Sequence, residues 1–167
     1  MLVGHPSLAS LQIIFNLFRQ NAATELFPEA EANDVGIIVR LPLASGILAG
    51  KMRRDQTFAE SDHRHYNRHG EAFSQGETFS GIPFDRALDF VEEIRPWAPK
   101  GMSMAQMAMR WILDFPAVTT IIAGATRPEQ VAENARVSDC EPLSAELHEK
   151  LGDLYRLKIE PSIVVTI

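Results

Sequence analysis

The sequence contains a single cysteine, Cys140, so no internal disulfide and no cysteine-rich metal site can form, and a reducing compartment fits. No stretch approaches the ~20 apolar residues of a membrane span. The opening MLVGHPSLASLQIIF lacks the basic n-region of a signal peptide, so the cytoplasm is the expected location. Positive charge is not in excess: Lys+Arg 16 against Asp+Glu 22 leave a formal charge of -6, which argues against general affinity for nucleic acid or an acidic membrane. There is no G-x-S-x-G elbow, no H-E-x-x-H and no Gly-Lys-Ser/Thr run, so these signatures of hydrolase, zinc-protease and P-loop chemistry are absent. What remains is 46% hydrophobic and 23% charged, the composition of an ordinary globular domain. A chain of this size can bury roughly 68–70% of its unfolded surface, enough for one sizeable core. A single domain over residues 1–167 is expected.

Leu11-Gln12-Ile13-Ile14-Phe15-Asn16 is a short branched and aromatic run that reads as a buried strand. Residues 21–34 follow with Leu26, Phe27 and Ala30 at helical spacing, Pro28 in the first turn and Gly36 as the C-cap. Residues 36–41 read as a second strand, giving a βαβ unit with a parallel sheet. Residues 52–83 are polar and irregular, the pattern of a lid or binding loop, or of a disordered one. Residues 84–98 form an amphipathic helix broken by Pro99-Lys100-Gly101. Ser103 and Gln106 make a capping box for a helix with Met104, Met107, Ala108, Trp111 and Phe115 on one stripe, ended by Pro116. Residues 118–123 are the third strand. Thr126 and Glu129 form a second box, opening a helix to about Val137, and a last helix presents Leu147, Leu151 and Leu154. The fold class is α/β. A complete (β/α)8 barrel typically takes ~250 residues, so this chain is too short for one.

Two constellations stand at strand ends, where α/β folds bind ligands. At the third, the chain turns through Gly124-Ala125-Thr126 into a helix whose first N–H groups and dipole suit a phosphate. Arg127 adds a guanidinium fork, with Gln130 and Asn134 along the same face. A plain capped helix with a solvated arginine is the alternative. At the second, Gly46 and Gly50 let backbone approach a ligand and Lys51 could pair with a phosphate; the alternative is a simple turn. Gln12 could hydrogen-bond a carboxamide or be a satisfied core residue. His63, His65 and His69 lie in a polar loop without cysteine, and a solvated loop is the better reading than a metal site. Cys140 lacks a neighbouring base and reads as a buried structural residue.

The segments LQIIFNLFR, IIVRLPLASGILAGK, TFAESDHRHYNRHGEAFSQGETFSG and SMAQMAMRWILDFPAVTTIIAGATRPEQVAENA, in that order, resemble the C-terminal half of an aldo-keto reductase from about His5 to Leu154. The resemblance implies a partial (β/α)8 TIM barrel, strands six to eight with their helices, and an activity of hydride transfer between NADP(H) and carbonyl substrates. It assigns Pro42, Leu43, Ala44, Gly46, Leu48 and Lys51 to the cofactor's pyrophosphate. It assigns Gly124, Ala125, Thr126, Arg127, Gln130, Glu133 and Asn134 to the adenosine ribose and its 2′-phosphate. Gln12 matches the glutamine that contacts the nicotinamide carboxamide. Arg40 stands where many members carry an aromatic ring that stacks on the nicotinamide. The family's catalytic Asp, Tyr, Lys and His belong to the first half of the barrel and have no counterpart in this chain, and no metal is implied. The terminal SIVVTI departs from the basic, Trp-containing end common in this branch. A non-catalytic NADP(H)-binding or regulatory module, or a truncated remnant, are the competing readings. Open sheet edges favour self-association.

Overall fold

Side-chain alternation along a strand decides what each face of a sheet can do. In this computed structural model, which describes residues 2–164, strands β1 (Ser10–Ile14), β2 (Gly36–Arg40) and β3 (Val118–Ile122) form one parallel sheet in that order. Leu11 pairs with Ile37 and Ile13 with Val39, and this apolar face packs against the helices. The opposite face carries Gln12, Ile38 and Thr120 in one row and Ile14, Arg40 and Ile122 in the next. Gln12, Thr120 and Ile122 on it are exposed.

The β2–β3 ladder contains a bulge. Ile37 pairs with Val118 but Ile38 with Thr120, leaving Thr119 as the extra residue. A Cβ on Gly36 would lie 2.8 Å from Thr119 Oγ1, so this position needs glycine unless Thr119 turns away. The expected role of Gly36 as a helix C-cap is corrected here. Helix α1 (Leu26–Ala32) is preceded by a 3₁₀ turn at Asn21–Ala23 and ends at Asn33. The left-handed residue that turns the chain is Asp34, with φ of 54°, a conformation aspartate tolerates.

The region 52–83 is not a disordered excursion. It contains a single helical turn, α2 (His63–Tyr66), and tight turns through Gln75–Gly81. Phe58 packs against Phe79 and Phe84, with Arg64 and Arg68 over its ring. Helix α3 (Phe84–Ile94) stops earlier than residue 98 because Pro96 has no N–H to continue it, and a 3₁₀ turn Arg95–Trp97 follows. Helix α4 (Met104–Leu113) begins at the Ser103–Gln106 capping box and buries Met104, Met107, Ala108 and Trp111. Its partner surface is aromatic: Phe15 lies 4.7 Å from Phe27, 4.9 Å from Trp111 and 5.1 Å from Phe115, centroid to centroid. Helices α5 (Pro128–Ala135) and α6 (Ala145–Leu154) complete the chain, α6 running on into a wide turn at Tyr155–Ile159. Asp114, at the end of α4, bonds Arg110, His148 and the Leu143 amide, which ties α6 to α4. Cys140 is only half-buried, its thiol directed at the Arg136 carbonyl. Residues 165–167 of the divergent C-terminal segment lie outside the described residues.

Candidate functional site

The exit of β2 is one of the strained stretches of the backbone; Asp34, Phe79 and Ser80 are the other left-handed non-glycine positions among the described residues. After β2, Leu41, Ala44 and Ser45 adopt φ of 53°, 45° and 58°, and Gly46 follows at 90°. Left-handed non-glycine residues cost roughly 1–2 kcal/mol each. The loop is held by hydrogen bonds from the Gly46 and Leu48 amides to the Leu43 carbonyl, at 2.9 and 3.1 Å. Ile47 and Leu48 then plug a 3₁₀ turn, Ile47–Ala49, into the core. Burial of Ile47 and Leu48 beneath the loop holds this strained backbone in place.

This loop faces the β3 exit across a cleft of about 610 Å³. Pro42, Leu43, Gly46 and Lys51 line one side, and Gly124, Ala125, Thr126 and Gln130 line the other. The 42–51 and 124–130 segments, singled out separately from sequence, therefore share one cavity. A Cβ on Gly124 would meet no atom within 4 Å, so its missing side chain leaves space open in the cleft. Met52, His63 and Arg64 also line it, contributions that sequence spacing did not suggest.

Other expected residues are placed elsewhere. Ala44 and Leu48 are buried, and the Leu48 side chain belongs to the core rather than to the cleft. Gln12 lies on the open sheet face, one row below Arg40. Arg127 and Glu133 are exposed outside the cleft lining. Asn134 lines a separate pocket with Met109, Thr120 and Val131, so Gln130 and Asn134 do not serve one cavity.

The start of α5 also differs from expectation. Its cap is Arg127, and the expected Thr126–Glu129 box is not what forms. Gln130 Oε1 accepts from the Thr126 and Arg127 amides at 2.8 and 3.1 Å, and from the Thr126 hydroxyl at 3.1 Å. The physical reason is Pro128 at the first helical position, which shifts the cap one residue on and places Gln130 at the third. A side-chain oxygen thus occupies the position that the dipole and amides make favourable for an oxyanion.

Arg40, at the end of β2, forms a bidentate pair with Glu77, with Nη1–Oε2 at 3.1 Å and Nη2–Oε1 at 2.7 Å. Hydrogen bonding to Arg40 holds the Glu77 carboxyl below the ordinary range. Two contacts seat the Glu77 turn: the Ser45 hydroxyl donates to the Glu77 carbonyl, and Asn67, fully buried, organises the chain leading to it. Asn67 Oδ1 accepts from the Ala72 and Phe73 amides at 2.8 Å each, and its carbonyl accepts from Thr78 Oγ1 at 2.9 Å. Nearer the cleft, hydrogen bonds from the Arg64 side chain pull the Asp62 carboxyl down to about 2. Arg64 is thereby fixed, while His65 and His69 are exposed. Among the described residues no group of three or more His, Cys, Asp or Glu side chains is arranged to hold a metal ion. No described helix is long and apolar enough to cross a membrane.

A model of the aldo/keto reductase family matches residues 3–156. A probable voltage-gated potassium channel subunit beta of Arabidopsis thaliana is 30% identical over 136 residues, covering 77% of this chain and 38% of its own length. The L-glyceraldehyde 3-phosphate reductase of Escherichia coli (strain K12) is 33% identical over 111 residues, 66% of this chain and 31% of that protein. Among solved structures, the glycerol dehydrogenase of Gluconobacter oxydans superposes with a TM-score of 0.71 at 27% identity, covering 95% of this chain and 46% of its own. The chain spans less than half the length of each of these relatives. Its parallel three-stranded sheet corresponds to part of a (β/α)8 barrel.

Proposed function

Because this chain belongs to the aldo/keto reductase family, we propose that it forms the cofactor-binding part of an NADP(H)-dependent carbonyl reductase. The observation that carries the reading is the convergence of the 42–51 and 124–130 segments on one cleft at the C-terminal ends of parallel strands. Bound there, NADP(H) supplies the hydride of carbonyl reduction. The residues present fit a dinucleotide. Gly124 leaves an opening that any side chain would fill, and Gly46 lets backbone come close. Lys51 and Arg64 bring positive charge to the lining, suited to a pyrophosphate. Gln130 releases the Thr126 and Arg127 amides when an oxyanion takes its place, and Arg127 lies at the same helix end for a 2′-phosphate. Gln12 and Arg40, on the open sheet face, lie where the nicotinamide ring is placed in this reading.

The general acid and its partners are supplied by residues outside this chain, so the chain alone binds cofactor and does not turn it over. A regulatory, non-catalytic role shares the same cleft. It is favoured by the relative named as a channel subunit, and it differs only in whether bound NADPH is consumed.

The test is calorimetric titration of NADPH into the full chain and into Gly124→Ile. No atom lies within 4 Å of the Cβ that the substitution adds, so the variant is expected to keep its melting temperature. Its affinity falls at least about tenfold, the equivalent of 1.4 kcal/mol. Unchanged affinity in a folded Gly124→Ile protein removes the cleft from the account.

A further inference from the structure

We propose that the groove between helices α1, α4 and α6 is a second binding site, which takes a small uncharged aromatic compound carrying a hydrogen-bond donor and an acceptor. The groove encloses about 740 Å³, within the range of small-molecule sites. It shares no lining residue with the cleft at the β2 and β3 exits. One wall is aromatic. Trp111 and Phe115 lie 4.9 Å apart, and the His148 ring lies 6.2 Å from Trp111 and 5.9 Å from Phe115, centroid to centroid. Gly152 of α6 also lines the groove and adds no side chain to fill it.

Two side chains that are almost wholly buried keep a polar atom free here. Gln20, 9% exposed, spends its Nε2 on the Leu17 and Leu151 carbonyls, at 3.0 and 3.4 Å. Its Oε1 has no partner among the described residues. Trp111, 1% exposed, has an indole N–H that likewise lacks an acceptor among them. A polar atom sealed without a partner is costly. Neither of these is sealed, because among the described residues only Arg19 Nε is both enclosed and unpartnered. The surface that Gln20 Oε1 and Trp111 Nε1 retain therefore opens on the groove that both residues line.

His148 adds a third group. Its Nε2 lies 2.9 Å from Asp114 Oδ2, and a carboxylate makes that nitrogen the donor. Nδ1 of the neutral ring is left as an acceptor without a partner among the described residues. Asp114 is itself held by Arg110 Nε at 2.9 Å and the Leu143 amide at 3.0 Å, so the ring is fixed in place. Charge decides the rest. Burial pushes the Tyr155 phenol up, so this part of the lining stays neutral. Glu25 and Glu160 stand exposed at the rim, and Arg156 is committed to Asp153, so the rim repels anions. One donor and two acceptors beside an aromatic wall match a flat neutral ring with polar groups of its own.

This inference stands apart from the reductase reading. The experiment uses the full ¹⁵N-labelled chain and follows the Gln20 side-chain amide and the Trp111 indole N–H. The Trp97 indole, which does not line the groove, is the reference. The probe is 4-hydroxybenzamide, titrated into the millimolar range expected of so small a ligand. The expected result is a saturable shift at Gln20 and Trp111 with Trp97 unmoved. Capping the donors, as in 4-methoxy-N,N-dimethylbenzamide, weakens binding at least about tenfold, and the anionic 4-hydroxybenzoate also binds more weakly. Gly152→Leu places a side chain in the groove and weakens the probe at least about tenfold. The three atoms nearest a Cβ at Gly152 all belong to the exposed Arg156 guanidinium, at 3.1, 3.8 and 3.9 Å, so the variant is expected to fold. If it does not, the wild-type titrations and Gln20→Met, expected to bind about tenfold more weakly, carry the test. No saturable shift with 4-hydroxybenzamide, equal binding of its capped or anionic counterpart, or undiminished binding by a folded Gly152→Leu protein overturns the proposal. A saturable shift of the same two resonances with NADPH also overturns it, because the groove would then be a dinucleotide site.

Discussion

Gln130 shows how one side chain can hold a helix end ready. Its oxygen satisfies the Thr126 and Arg127 amides, so replacing it with a phosphate exchanges one acceptor for a stronger, charged one. Arg127 is exposed at the same end and forms no ion pair among the described residues. Arg127→Ala is therefore expected to weaken NADPH by about tenfold, the lower end of a charged hydrogen bond's worth, and to leave NADH nearly unchanged. Fluorescence titration of both cofactors checks this, and equal losses for the two would assign Arg127 to the helix or the adenine. A second expectation concerns Asp62, whose carboxyl lies at about 2 instead of the ordinary 3.8 because of the Arg64 hydrogen bonds. A depressed carboxyl stabilises the fold above its unfolded value, and that contribution fades as pH falls from about 4 towards 2. Side-chain ¹³C titration should give a midpoint near 2 for Asp62 in the wild-type chain, and Arg64→Ala should return it towards the ordinary range.

Among the elements, the segment before Glu77 depends on Asn67. Its side-chain oxygen is the acceptor for the Ala72 and Phe73 amides. Asn67→Ala removes that acceptor from a fully buried site and is expected to cost about 2 kcal/mol in chemical denaturation. Hydrogen exchange should quicken at residues 67–78 and not in β1 to β3; uniform quickening would mean a global effect instead. The sequence made some elements readable and hid others for a physical reason. The strands and the Ser103–Gln106 box depend on neighbours a few residues away, so pattern and spacing expose them. The Arg40–Glu77 pair joins residues 37 positions apart, and Asn67 acts through backbone groups that no motif announces. The 42–51 and 124–130 segments were both legible as strand exits, but their shared cleft was not. At α5, Pro128 decided the cap, and the Thr126–Glu129 spacing misled.

The whole molecule leaves one face of its sheet open. Gln12, Thr120 and Ile122 are exposed on it, and β1 and β3 are its edges. Unpaired edges and an uncovered face drive association. The isolated chain is expected to associate with rising concentration in analytical ultracentrifugation, and a monomer that melts cooperatively at micromolar concentration would argue against this. The central claim, that the cleft at the β2 and β3 exits holds the dinucleotide, faces a rival on the same surface. A groove of about 740 Å³ between α1, α4 and α6 is larger, lined in part by Gln20, Trp111 and Tyr155. Backbone amide NMR of the full chain titrated with NADPH distinguishes them directly. The account predicts saturable shifts at residues 43–46 and 124–130 with the α1–α6 groove silent. Shifts confined to that groove, or no saturable shift at all, would contradict it.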